Sequence, residues 1–236
     1  MTDSFDVAAW RDRLEQSRDE KDEFLTADPR SPLPESARES FDGLDYFDPD
    51  PAYRVTATAT VHDEPDPVEM TVTDGPPERF LHVVTFAFEL PSGSGADEGV
   101  DGGEAVDDEG EDDGEAVDDE VGDEEEAESE GVGDSAESSD TVSETLAAYR
   151  REGDDGGLFV PFRDKTTGQA TYRGGRYMDL HPEGELTDGD EVTVDFNLAY
   201  TPFCAFDDAF ACPLPPEENW LSTTVPVGER DPDLDE

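Results

Sequence analysis

An acidic segment in the middle of the chain is the strongest constraint on what this sequence can fold into. Residues 97–130 include twenty acidic residues and no basic residue, and the heptapeptide GEAVDDE occurs at 103–109 and again at 114–120. Such a segment buries too little apolar surface to offset the entropy lost on ordering. We therefore predict a single domain with a disordered acidic insertion at 91–140. The acidic repeats do not follow the spacing of a calcium-binding loop, which makes calcium binding a minor alternative.

The acidic character extends beyond the insertion. The formal net charge is -51, with 66 acidic and 15 basic residues, and Lys21 and Lys165 are the only lysines. An acidic surface with few lysines is typical of proteins that work in molar salt, where charge repulsion is screened. We infer an extreme halophile, most simply an archaeon, as the source; the alternative is an acidic protein from an ordinary cell. Clustered basic residues are needed to bind nucleic acid or anionic membranes, so we expect neither partner.

The termini and the cysteines indicate the compartment. The sequence has no run of 18 apolar residues, and its N-terminus has acidic residues where a signal peptide has a basic region. We expect a cytoplasmic protein. Two cysteines eight positions apart, Cys204 and Cys212, do not suggest a structural disulfide framework in that compartment.

The pattern of apolar residues predicts one helix and a set of strands. Residues 4–25 have helical spacing, with Trp10 among the apolar positions. Residues 53–61 and 68–72 alternate with period two and are predicted to form a hairpin, and 79–90 is a more central strand. These elements make up residues 1–90 of the predicted domain.

The domain is predicted to resume after the insertion and to continue over residues 141–229, followed by an acidic tail at 230–236. Residues 145–150 should pair with 79–90 across the insertion, 158–162 and 171–180 should form a hairpin, and 192–200 should form another strand. The proline-rich segment 201–228 should lie across the open end of the sheet. The predicted fold is mainly β, an antiparallel barrel-like roll or sandwich with one N-terminal amphipathic helix.

The last third of the chain contains four motifs in order. They are F-x-D-x-T-x-G-x-x-T-Y-x-x-G-R-Y at 162–177, D-F-N-x-A-Y-x-P-x-C at 195–204, C-P-L-P-P-x-E-N at 212–219 and G-E at 228–229. In these motifs the chain resembles a bacterial and archaeal family known as domain of unknown function 1684. The resemblance implies the fold and the location of a site, and it brings no established activity with it.

The polar residues of these motifs are the candidate site. Arg176 is predicted to pair with Asp195 or Asp179 and to hold an anionic group, and Asp164 or Asp195 is the candidate catalytic base. The other candidate ligand-binding residues are Tyr172, Tyr177, Asn197, Tyr200, Glu218 and Asn219. For Cys204 and Cys212 we consider buried free thiols first, then a reversible disulfide or reactive pair, and last a metal site, because their spacing is not that of zinc ligands.

Three functions are open at this point. The favoured one is a small-molecule-binding β domain with a polar pocket around Arg176 and Asp195. The second is an enzyme of hydrolase or lyase type that uses an aspartate base and Arg176. The third is a structural or protein-interaction module whose motifs only determine the fold. No metal and no cofactor is predicted, and a small molecule is the expected partner.

Overall fold

A six-stranded antiparallel sheet is the framework of the domain. The computed structural model describes residues 5–92, 141–151, 153 and 157–232. The strands are β1 (Arg54–Met70), β2 (Glu78–Pro91), β3 (Thr141–Arg151), β4 (Leu158–Phe162), β5 (Arg176–Leu180) and β6 (Glu191–Asp195). The helices are α1 (Val7–Ala27) and the short α2 (Glu35–Arg38), with 3-10 turns at Pro51–Tyr53, Phe196–Leu198, Phe203–Ala205 and Glu217–Asn219. The predicted fold class is confirmed.

The strand order brings the two ends of the sheet towards one another. The order is β5-β4-β3-β2-β1-β6, so that β1 to β5 form a meander and β6 returns to the opposite edge beside β1. The sheet curls into a half-barrel. Just after β6, the N–H and C=O of Tyr200 bond the C=O and N–H of Tyr177 in β5, both at 2.9 Å. The chain that leaves one edge strand therefore also binds the other edge strand.

The alternation of apolar residues along the strands separates the two faces of the sheet. One face carries the main core, where Phe196 lies with its ring centroid 5.5 Å from those of Phe88 and Phe162. The opposite face carries a smaller cluster that includes Phe80 and Tyr149. Full burial of one such ring contributes roughly 1.5–3 kcal/mol, so the larger cluster dominates the stability of the sheet.

Helix α1 packs on the sheet through its tryptophan. Asp6 caps the helix by accepting hydrogen bonds from the N–H groups of Ala8 and Ala9, both at 3.1 Å. Trp10 is buried, and its indole N–H donates to Asp195 Oδ2 at 2.7 Å. The helix runs two residues past the predicted end at 25 and stops before the Asp28-Pro29 pair, since a residue before proline is driven out of the helical region.

The predicted hairpin of 53–61 and 68–72 is wrong. Residues 54–61 and 68–70 both belong to β1, which pairs with β2 from Thr58 to Met70 and bulges where the register shifts between Val61 and Asp66. Proline cannot contribute an N–H to a ladder; the bulge contains Pro65, whereas Pro67 stays in register opposite Leu81. The predicted strand at 192–200 also ends early, at Asp195, whose side chain accepts from the N–H of Asn197 and caps a 3-10 turn.

Strands β2 and β3 pair as far as the two ends of the predicted insertion, where Pro91 lies opposite Thr141. From residue 93 the predicted insertion, with its repeated heptapeptide, lies outside the described residues. Within the described ranges, no helix has both the length and the apolar character needed to cross a membrane.

Candidate functional site

The motif arginine is at the centre of a buried structural network. Arg176 is 1% exposed, and its guanidinium donates to the carbonyl of Val225 at 2.8 Å, to that of Val227, and to Asp164 Oδ1 at 3.5 Å. Asp164 also accepts from the N–H of Val225 at 2.6 Å. Burial lowers the pKa of Arg176, and the charge of Asp164 opposes that shift. This network attaches the C-terminal segment to the start of β5.

The second candidate base belongs to a different network. Asp195 accepts from the indole of Trp10 at 2.7 Å and from the amide group of Asn197 at 2.9 Å. Asn197 in turn bonds the backbone N–H and C=O of Asp50, both at 2.9 Å. Arg54 lies 3.7 Å from the Asp195 carboxylate. These contacts join α1, the loop before β1 and the end of β6.

The last two residues of the C-P-L-P-P-x-E-N motif supply a third network, between two strands. Asn219 is fully buried, accepts from the N–H of Ala147 at 2.7 Å, and donates to the carbonyls of Ala147 and Pro161 at 2.9 and 2.7 Å. It therefore takes the place of a ladder residue where β3 and β4 diverge, since among the described residues of these strands one pair is in register, Tyr149 with Phe159. Glu218 accepts from the Tyr149 hydroxyl at 2.8 Å.

The structure thus contradicts the predicted pairing of Arg176 with Asp195 or Asp179. The acid beside Arg176 is Asp164, because the β4–β5 register places Phe162 opposite Arg176 and brings the residues just after β4 to the same place. Arg176 and Asp195 belong to separate networks: both Nη atoms of Arg176 bond groups of its own chain, and its Nε has no hydrogen-bond partner among the described residues. Glu229 of the G-E motif, which was not among the candidates, is also buried and binds Lys21 of α1 and the N–H of Thr201 at 2.8 Å.

The candidate residues that do meet at a cavity are Tyr177 and Tyr200. A cavity of about 410 Å³ lies on the face of the sheet opposite the main core, between strands β3 to β5 and the segment that follows Tyr200. Seven phenyl or phenol rings line it: Phe80, Tyr149, Phe159, Tyr177, Tyr200, Phe203 and Phe210. Its size and its apolar lining fall within the range of small-molecule pockets.

The tyrosine hydroxyls of the cavity already have partners. Tyr177 donates to the carbonyl of Pro213, Tyr200 donates to Asp179 Oδ2 at 2.7 Å, and Tyr149 donates to Glu218. Burial raises the pKa of all three tyrosine hydroxyls, because a phenolate would lose its hydration there. The phenols are therefore neutral at physiological pH, and these tyrosines present ring surfaces rather than charge to the cavity.

Four polar side chains that can carry charge also line the cavity: Arg150, Arg151, Asp179 and His181. Arg151 is occupied, because it pairs with Glu78 at 2.8 Å and lies over the ring of Phe80. Arg150 lines both this cavity and an adjoining cleft of about 690 Å³, and its buried Nε has no hydrogen-bond partner among the described residues. Arg150 was not among the residues predicted from sequence. The available signal was that basic residues are rare in this chain, 15 against 66 acidic ones.

The two thiols lie close together but line different spaces. Cys212 lines the cavity, whereas Cys204 and Tyr172 line a separate surface cleft of about 460 Å³. Both thiols are free and buried, and Cys212 Sγ accepts from the N–H of Cys204 at 3.3 Å. Among the described residues, no group of three or more His, Cys, Asp or Glu side chains is arranged to hold a metal ion.

Comparison with known proteins places the chain in a family. The family model described as "Protein of unknown function (DUF1684)" matches residues 39–113 and 103–230. The chain belongs to this family. A solution NMR structure of an uncharacterised protein from Haloarcula marismortui is similar over 98% of both chains, with 43% sequence identity and a TM-score of 0.60. A search of the curated proteins found no match. The resemblance seen in the motifs is therefore confirmed, and neither the DUF1684 description nor the haloarchaeal relative names a ligand or a reaction.

Proposed function

We propose that this DUF1684 domain binds a small molecule that has a ring system and one anionic group, in the aromatic cavity rather than around Arg176 and Asp195. The observation that carries the proposal is the combination of seven rings with the Arg150 Nε, which has no hydrogen-bond partner among the described residues, in one cavity wall. Ring faces favour a flat, mainly apolar ligand, because stacked and edge-to-face contacts add to the gain from burial.

The anionic group follows from the state of Arg150. A buried guanidinium nitrogen without a hydrogen-bond partner is costly, and a carboxylate or phosphate can pair with a guanidinium in two-point geometry. The Asp179 carboxylate accepts from Tyr200 and does not bond the Arg150 Nε. The ligand's own anion would thus supply the partner that the described residues do not provide.

The alternative is a domain without a ligand, in which the motifs are fold determinants only. One observation favours it, since the polar side chains Asp164, Arg176, Asp195, Asn197 and Asn219 all bond groups of their own chain. The hydrolase or lyase alternative draws no support from these contacts, because Arg176 and both candidate bases are occupied within the fold.

A matched pair of probes separates these functions. In about 2 M KCl, where surface repulsion is screened, calorimetric titration compares 2-naphthoate with its neutral analogue 2-naphthamide. We expect the naphthoate to bind more tightly, and Arg150→Gln to weaken it by about tenfold, since a hydrogen bond to a charged group contributes roughly 1.5–3 kcal/mol. The naphthamide affinity should stay unchanged in that variant.

Arg30→Gln is the control, because this arginine is 82% exposed and pairs only with Asp28 among the described residues. It should bind both probes as the unmodified protein does. The anion-binding cavity is refuted if the two probes bind with equal affinity. It is also refuted if neither probe, at millimolar concentration, gives a heat of binding or raises the stability of the protein. The domain without a ligand then becomes the better account.

A further inference from the structure

The two cysteines are arranged as a pair rather than as separate core residues. They pack in one cluster with Tyr177, and the N–H of Cys204 donates to Cys212 Sγ at 3.3 Å. A backbone amide of one cysteine within hydrogen-bond distance of the sulfur of the other brings the two side chains within the range that a disulfide spans. The pair stands on contacts of its own and does not depend on a ligand in the aromatic cavity.

The two cysteines line different openings of the domain. Cys204 lines a cleft that also contains Tyr172, two arginines and two aspartates: Arg163, Arg173, Asp74 and Asp208. Cys212 lies behind it, on the wall of the aromatic cavity. A reagent that enters the cleft therefore meets Cys204, and the mixed charge of the cleft suits an uncharged reagent.

The surroundings also favour a thiolate at Cys204. The Tyr172 hydroxyl lies 3.7 Å from Cys204 Sγ and can donate to it. The hydrogen bond from the Cys212 thiol lowers the pKa of Cys204 to about 6, and the pKa of Cys212 is raised because the same bond holds its proton. The attacking thiol of an exchange reaction needs this thiolate character, and the resolving thiol has to lie close to it.

We propose that Cys204 and Cys212 form a dithiol site that exchanges with low-molecular-weight disulfides. The Cys204 thiolate attacks one sulfur of the disulfide RSSR, the S–S bond breaks, and RS⁻ leaves and takes a proton from water. Cys212 then gives up its proton and attacks Cys204 Sγ, which breaks the mixed disulfide and releases the second RSH. The protein loses two electrons and two protons to RSSR and gains one internal disulfide.

The test uses 2-hydroxyethyl disulfide, an uncharged reagent that the acidic surface does not repel, with the full-length folded protein in about 2 M KCl. Intact mass after acid quenching should show the loss of two hydrogens in the unmodified protein, reversed by dithiothreitol. Cys212→Ser should accumulate the mixed disulfide, and peptide mapping should place it on Cys204. Tyr172→Phe should slow the first step and leave the final pairing unchanged.

Cys204→Ser decides the order of attack. We expect it to stay unmodified for as long as the Cys212→Ser variant takes to react, because the Tyr172 hydroxyl that favours a thiolate lies beside Cys204 Sγ. A Cys204→Ser/Cys212→Ser variant is the blank, since the chain has two cysteines. The proposal is overturned if both single variants react equally fast, if the only product joins two chains, or if the internal disulfide forms only after unfolding in urea.

Discussion

Asn219→Leu should be among the most damaging single substitutions in the domain. The Asn219 side chain is fully buried and makes three hydrogen bonds, of 2.7, 2.9 and 2.7 Å, to the N–H and C=O of Ala147 and the C=O of Pro161. Leucine has a similar volume and no polar atom, so three buried backbone groups lose their partners. At roughly 1–2 kcal/mol for each group, we expect a loss of about 3–6 kcal/mol.

That loss would be a large share of the total, because domains of this kind have free energies of unfolding of about 5–15 kcal/mol. Urea denaturation in about 2 M KCl, followed by far-ultraviolet circular dichroism, measures it. Hydrogen exchange of the Ala147 amide should also accelerate, since Asn219 is its acceptor. The control is Glu218→Gln, whose amide oxygen can still accept from Tyr149, with an expected change within about 0.5 kcal/mol.

The reasoning is refuted if Asn219→Leu loses less than about 1 kcal/mol while the Ala147 amide keeps its protection. In that case β3 and β4 would hold together through their own pairing, and the motif asparagine would have another role.

Three further substitutions probe the other contacts. Trp10→Phe should cost about 1–2 kcal/mol in urea denaturation because it leaves Asp195 without its indole donor; an unchanged midpoint would mean that the helix docks through apolar contacts alone. Arg176→Lys should cost roughly 2–4 kcal/mol, since one ammonium cannot replace the guanidinium fork; full stability in this variant would contradict the network. Burial, and then the charge of His62, lowers the pKa of His82, so unfolding takes up a proton and the free energy of unfolding should fall as pH drops below about 6.5. His82→Gln should flatten that part of the stability profile, and an equal slope in the two proteins would rule out His82 as its source.

Much of the fold follows from residue patterns, and its error has a physical cause. Helical spacing located α1 within a few residues, and the strands predicted at 79–90 and 158–162 coincide closely with β2 and β4. The hairpin assigned to 53–72 failed because a proline-containing stretch was taken for a turn, whereas a strand can absorb it as a bulge between Val61 and Asp66. Composition alone does not separate a bulge from a loop; the partner strand decides.

The site was harder to predict, because polar residues can be named from sequence before their partners can. The pairing of Arg176 with Asp164 follows from the β4–β5 register, with Phe162 opposite Arg176, once that hairpin is accepted. The aromatic cavity had no such signal. Its rings come from β2 to β5 and from an irregular segment, and no spacing along the chain brings Phe80 beside Phe210.

The segment of residues 200–214 carries one wall of that cavity and both thiols. Backbone hydrogen bonds attach it to the sheet at its two ends, through Tyr200 at 2.9 Å and through Leu214, whose N–H donates to the carbonyl of Thr71 at 2.7 Å. Cys204 and Cys212 lie just inside these attachments, and Phe203 and Phe210 line the cavity from the same stretch. A disulfide between the cysteines would therefore rearrange the residues that form this wall.

Cavity occupancy and thiol oxidation should be linked if both proposals hold. Suppose that a ligand binds the dithiol form more tightly than the disulfide form by some factor. Thermodynamic linkage then requires that saturating ligand shifts the dithiol–disulfide equilibrium towards the dithiol by the same factor. The measurement is the fraction of internal disulfide at equilibrium in a fixed mixture of 2-hydroxyethyl disulfide and 2-mercaptoethanol, with and without saturating 2-naphthoate. We expect the ligand to lower that fraction, because the rings at Phe203 and Phe210 contact it only while the wall keeps its dithiol arrangement. Arg150→Gln, which removes the ligand's anchor and lies apart from the thiols, should abolish the effect. An equal fraction of disulfide in both samples, with the naphthoate shown to be bound, would mean that the wall tolerates the disulfide and that the two sites act independently.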